Sequence, residues 1–247
     1  MTNKKVDILH VLFDNVTQKE MLVVLMNRVK KNKKTFVVTA NPEIVMYANE
    51  HQEYMHLLKQ ANFITADGIG IVKASKIMST PIVERVAGYD LMLDLFKEAH
   101  LLEKSIYLLG AKQEVIEATA KKIETELPGI QLVGYENGYF ELSDEIVMRN
   151  VLKTNPDMVF VGLGFPKQEK WIEHYLQLAD KGLVMGVGGA FDAYTGKVKR
   201  APDCFIKMNL EWFYRLVKQP SRLMRMRVLP KFLISVYVES KNQKKRR

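Results

Sequence analysis

Short apolar runs of strand length alternate along this chain with longer stretches whose apolar residues recur every three or four positions. That alternation constrains the fold more than any other feature. It is the signature of repeated βαβ units, and so of a mainly parallel sheet with helices on its faces. The expected strands occupy residues 8–13, 36–39, 63–66, 106–109, 131–135, 158–162 and 183–187. Helical periodicity covers 19–30, 89–100, 114–126 and 145–153, with Ser143 as cap of the last and Asp144 and Glu145 in its first turn. The fold class is α/β, and 247 residues suffice for one large domain with a small appendage.

The pattern changes after Gly196. From Pro202 onward strand signals stop, and the chain reads as short helices punctuated by Pro220 and Pro230. Charge changes with it. Residues 197–247 carry 15 Lys+Arg against 3 Asp+Glu, a net of +12, which leaves −3 on residues 1–196. The reading is an α/β body over 1–196 and a basic helical appendage over 197–247. Arg215, Lys218, Arg222 and Arg225 would share one face of an unbroken helix opposite Trp212, Phe213, Leu216, Leu223 and Met224. A segment of this kind suits an anionic partner, whether acidic lipid, phosphorylated ligand or nucleic acid, or simply forms a solvated tail.

Composition removes several options. Cys204 is the only cysteine, so there is no intramolecular disulfide and no Cys-rich zinc site. The first 16 residues lack a signal-peptide core, and the apolar stretch at 232–238 is too short to span a bilayer. The expectation is a cytoplasmic protein with at most peripheral membrane contact. There is no phosphate-binding GxxxxGK[ST] run, no Gly-x-Ser-x-Gly elbow and no Asp-x-Asp pair. His10, His51, His56, His100 and His174 are scattered, so no metal site is read.

Three expected strand ends carry polar residues where ligands bind in parallel sheets. The first is Thr39-Ala40-Asn41-Pro42-Glu43, in which Asn41 caps a helix and Pro42 opens it. The second is Thr65-Ala66-Asp67-Gly68-Ile69-Gly70. A carboxylate between an apolar strand and a glycine turn is open to desolvation and suits a general base; the alternative is a cap for the helix starting near Ile69. The third is Val161-Gly162-Leu163-Gly164-Phe165-Pro166-Lys167-Gln168-Glu169, where Gly162 and Gly164 would let phosphate approach the backbone. Lys167 breaks the dinucleotide fingerprint there. A related loop, Gly186-Val187-Gly188-Gly189-Ala190-Phe191-Asp192, serves either as a second flexible turn or as tight loop packing.

These segments, together with Glu84-Arg85-Val86-Ala87-Gly88-Tyr89-Asp90, Arg200-Ala201-Pro202 and Glu211-Trp212, occur in an order that resembles the WecG/TagA/CpsF family of glycosyltransferases over nearly the whole chain. The resemblance implies a Rossmann-like core that moves an N-acetylated hexosamine-type sugar from a UDP donor, with inversion and without a metal cofactor. The acceptor would be GlcNAc on undecaprenyl diphosphate. Within the family the likeness leans toward members that transfer N-acetylmannosamine in the teichoic-acid linkage unit; capsule and common-antigen relatives use other sugars. The same resemblance makes Asp67 the general base and places Thr39, Asn41, Arg85 and Gln168 around its pocket, with Arg85 offsetting diphosphate charge. Tyr139 would stack on the uracil and Asp192 would bond to it. Arg215, Arg222 and Arg225 would grip the acceptor diphosphate while the tail docks on an anionic membrane. Homo-oligomerisation is left open. Two other classes compete: a nucleic-acid-binding protein, against which the body's net −3 speaks, and an NAD-dependent enzyme, against which the broken fingerprint speaks.

Overall fold

A computed structural model describes residues 5–198, 201–202, 204–205, 208, 210–218 and 227–245, with the side chains of Arg215, Lys218, Lys244 and Lys245 outside that set. In chain order the elements are β1 (Lys5–Ile8), β2 (Val11–Asp14), α1 (Gln18–Lys30), β3 (Thr35–Ala40), α2 (Pro42–Glu50), α3 (Gln52–Gln60), β4 (Phe63–Ala66), α4 (Ile69–Ile77) and α5 (Gly88–Leu101). There follow β5 (Ser105–Gly110), α6 (Gln113–Glu126), β6 (Gln131–Glu136), α7 (Glu145–Thr154), β7 (Met158–Gly162), α8 (Lys167–Leu178), β8 (Leu183–Gly186), α9 (Ala190–Tyr194), α10 (Glu211–Lys218) and α11 (Val228–Lys245).

Six strands form one parallel sheet in the order β4-β3-β8-β7-β5-β6. Successive residues along its strands serve two separate cores. Val38, Leu109, Val159, Val161 and Val184 face one core, while Val37, Leu108, Met158, Phe160 and Met185 face the other. This period of two, with apolar residues on both sides, is what a sheet covered by helices on each face requires. The first core receives α2, α3, α4, α7, α8 and α11; the second receives α1, α5, α6 and α9. Helix starts are locally encoded. Thr17 and Glu20 form a reciprocal capping box on α1, and Asn41 Oδ1 accepts from the Ile44 amide ahead of Pro42.

Two expectations change. The run at 8–13 is not one strand: β1 and β2 pair antiparallel around Leu9 and His10, whose φ angles are +51° and +68°. The turn is closed by the His10 amide donating to Asp7 Oδ1 and held by Asn49 Nδ2 donating to the Leu9 carbonyl. The second concerns α7, which is capped by Asp144, whose Oδ1 accepts from the Ile146 amide, and not by Ser143. Toward the C-terminus, Pro230 lies inside the first turn of the 18-residue α11, where its missing N–H breaks no helical bond. Helix α11 packs across α2 and α4. Phe232 and Val236 enter the first core, Ser240 Oγ donates to the Ile77 carbonyl, and Lys231 pairs with Glu50.

Candidate active site

Because all six strands of the main sheet are parallel, their carboxyl ends lie along one edge, and the motifs converge there. The Asp67 amide donates to the Ala40 carbonyl at 3.0 Å, and the Val86 amide donates to the Ala66 carbonyl at 3.1 Å. These two bonds lay residues 84–88 against the ends of β3 and β4. Arg85 thereby meets Asp67 twice: its Nε donates to the Asp67 carbonyl at 2.5 Å, and its Nη2 lies 3.8 Å from Asp67 Oδ1. The same Oδ1 accepts from the Gly88 amide, the first residue of α5, at 3.1 Å. An amide at a helix start and a guanidinium thus both face the carboxylate.

The alternative role, a cap on the helix near Ile69, is therefore not what Asp67 does. Gly68 occupies that position with no side-chain bond, and the Asp67 carboxylate reaches across to α5. Nor is the carboxylate sunk in apolar surroundings, as a desolvated base would be: its side chain is 32% exposed. Gly88 is needed for the arrangement. A Cβ there would sit 2.8 Å from Thr39 Oγ1, so only glycine lets the start of α5 press against β3. Thr39 Oγ1 in turn donates to the Gly186 carbonyl at 3.3 Å, tying the group to the end of β8. Thr39, Asp67, Arg85 and Gly88 thus form one connected cluster, while Asn41, just past the end of β3, uses its Oδ1 to cap α2.

The two glycine loops meet beside it. Gly162 ends β7 with the Gly188 carbonyl and the Phe191 ring so close that a Cβ would approach both to 2.9 Å. Gly164 has φ +74° and open space around it. Gln168 sits under β8: its Oε1 accepts from the Gly188 amide at 3.1 Å, and its Nε2 donates to Glu169 Oε1 at 2.8 Å. With 5% exposure, Gln168 braces the loop after β8.

Glu169, the neighbour that sequence reasoning passed over, is 1% exposed, and burial pushes its carboxyl above the usual range. Tyr54 lies beside it, and burial together with the Glu169 charge pushes that phenol up as well. A raised folded pKa contributes stability that is complete below the unfolded value of 4.5 and is lost as pH rises toward the folded value. Replacing Glu169 by Gln keeps the acceptor for Gln168 and removes the charge. Melting temperatures of the two proteins should diverge as pH rises above 4.5, with Glu169→Gln gaining on wild type. Parallel melting curves across the range would contradict the assignment.

The family model described as "Glycosyl transferase WecG/TagA/CpsF family" matches residues 6–246. The chain belongs to the WecG/TagA/CpsF family. A relative from Bacillus subtilis (strain 168) is 43% identical over 208 residues, covering 84% of this chain and 81% of that protein. One from Staphylococcus aureus (strain MW2) is 40% identical over 245 residues, covering 98% and 95%. Both are named N-acetylglucosaminyldiphosphoundecaprenol N-acetyl-beta-D-mannosaminyltransferase.

The remaining residues that the WecG/TagA/CpsF resemblance singled out are more dispersed. Tyr139 is 74% exposed in the segment after β6, where the Gly138 amide donates to the Ala111 carbonyl at the end of β5. It stands at the same sheet edge, on the far side of β7 from Asp67. Asp192 lies in α9, half-buried, with its carbonyl accepting from the Val198 amide. Arg222 and Arg225 lie outside the described residues, and of Arg215 only the helical backbone of α10 is described. Glu211, which the sequence offers only as part of a motif, is a partner of Arg85: its Oε2 lies 3.0 Å from Nη2. Among the described residues no three His, Cys, Asp or Glu side chains gather as a metal site would need, and no helix is long and apolar enough to cross a membrane.

Proposed function

We propose that this glycosyltransferase moves N-acetylmannosamine from UDP-N-acetylmannosamine to the GlcNAc of an undecaprenyl-diphosphate acceptor, with inversion, in making the linkage unit of wall teichoic acid. The observation that carries this reading is the Asp67 carboxylate at the sheet's carboxyl edge, held by Arg85 and Gly88, in a chain alignable over 98% of its length with a relative of that named activity. Asp67 takes the proton from the acceptor hydroxyl as its oxygen attacks C1 of the donor sugar, and the C1–O bond to UDP breaks on the opposite face. Negative charge gathers on the departing diphosphate. Hydrogen bonds occupy two of the five Arg85 donors, which leaves others for that charge without any metal. The turns at Gly162 and Gly164 offer the donor's phosphates close approach to backbone.

Residues 1–196 act in this reading as the catalytic body and 197–247 as the docking segment. A lipid-linked acceptor lies at the bilayer surface, and α11 presents Leu233, Ile234, Tyr237 and Val238 outward beside its basic residues. Basic side chains near an anionic leaflet contribute about 1 kcal/mol each, so a handful holds the protein there reversibly. Sedimentation with phosphatidylglycerol vesicles should fall steeply between low and physiological salt, and binding that ignores salt would argue against an electrostatic dock. The reaction is tested by offering a panel of UDP-sugars with a lipid-diphosphate GlcNAc acceptor. Preference for UDP-N-acetylmannosamine is the expected result. Transfer of another sugar alone would move the chain to the capsule or common-antigen type.

A further inference from the structure

The tail is strongly basic, yet the side chain it brings to Arg85 is a buried acid. Glu211 opens α10 with 7% exposure and reaches 126 positions back in sequence to Arg85. The guanidinium is consequently held on two sides, by the Asp67 carbonyl at Nε (2.5 Å) and by Glu211 Oε2 at Nη2 (3.0 Å). A planar fork fixed at two of its edges has little freedom left, so the direction of its remaining donors is set. The same bond fixes the first turn of α10 against the strand ends, and an acid in that turn also suits the helix dipole.

We infer that Glu211 is a positioning residue for sugar transfer: it orients Arg85 toward the leaving diphosphate and seats the start of α10 on the catalytic edge of the body. This rests on the reading that Arg85 faces the donor diphosphate. Glu211 touches no reacting atom itself. Its charge is needed because a guanidinium with one partner removed turns toward whatever anion remains, and among the described residues that is the Asp67 carboxylate at 3.8 Å. The base would then be engaged by the group meant for the leaving diphosphate.

The test compares full-length wild type with Glu211→Gln and Glu211→Asp. Initial rates are measured against UDP-sugar and lipid-linked acceptor, UDP affinity by calorimetry, melting temperature, and amide exchange over residues 211–218. The expected result for Glu211→Gln is a kcat lower by about tenfold or more, with KM for UDP-sugar and UDP affinity little changed. Exchange in α10 should be faster, and Glu211→Asp should recover much of the rate. Two outcomes overturn the inference: wild-type kcat with unchanged exchange, or tighter UDP binding at retained turnover, which would make Glu211 a stand-in for the phosphate. The proposed reaction fails separately, through absence of transfer by wild type, and exchange over α10 still reports on the Glu211 contact in that case.

Discussion

Replacing Asp67 by Asn should lower the rate of sugar transfer by about 10²–10⁴-fold, the range of a lost general base. The change removes the ion pair with Arg85 but keeps the two hydrogen bonds that hold residue 67. Asn keeps an oxygen to accept from the Gly88 amide, and Arg85 Nε bonds to the backbone carbonyl of residue 67, which the substitution leaves alone. Melting temperature and UDP-sugar binding should therefore stay close to wild type, and the loss should appear in kcat. Single-turnover rates with the lipid-linked acceptor check this. A variant that transfers at the wild-type rate would remove Asp67 from the chemistry, and the proton would then need another acceptor along the same edge.

The second large effect concerns folding. Gly110, at the end of β5, has φ +124°, and a Cβ there would lie 2.5 Å from the carbonyl carbon and oxygen of Gly162. These are backbone atoms of the paired strand in mid-sheet, so they cannot swing aside as a flexible side chain would. Overpacking contributes about 1–3 kcal/mol and the strained backbone about 1–3 more. Gly110→Ala should thus lower the melting temperature by roughly 5–20 °C. Gly164→Ala is the matched control: φ is +74° but nothing lies within 4 Å, so only the backbone term of about 1–2 kcal/mol applies. Equal losses at both positions would mean that strain and not contact governs Gly110.

Most of the sheet could be read from the sequence because it is covered on both faces. Each of 36–39, 106–109, 158–162 and 183–187 is a near-continuous apolar run, and each became a strand with only its ends adjusted. The hairpin escaped notice because its turn lacks the usual chemistry. Leu9 and His10 hold positive φ without glycine or asparagine, stabilised by Leu9 burial, Asp7 and a distant Asn49. At the site, local sequence placed Asn41 and Asp67 at strand ends, and the ordered motifs supplied the family. It could not supply contacts between distant segments. The start of α5 takes the Asp67 carboxylate 21 positions away, and Glu211 meets Arg85 at a separation of 126. No periodicity encodes either. Gln168 shows the same limit: its spacing suits a ligand-facing turn, while its packing under Gly186 spends both ends of the amide inside the protein.

The way α11 lies across α2 and α4 alters what a shortened protein would mean. Phe232 alone, fully buried, is worth about 3–5 kcal/mol against Ala, and Val236 and Ser240 add to that seam. A chain ending before residue 228 would leave the outer faces of α2 and α4 wet and apolar. A premature stop there should therefore lower the amount of protein a cell retains, through clearance of unfolded chains, before any question of where the survivors reside. Point changes at exposed Lys241 or Tyr237 spare the seam and should leave the protein's abundance unchanged.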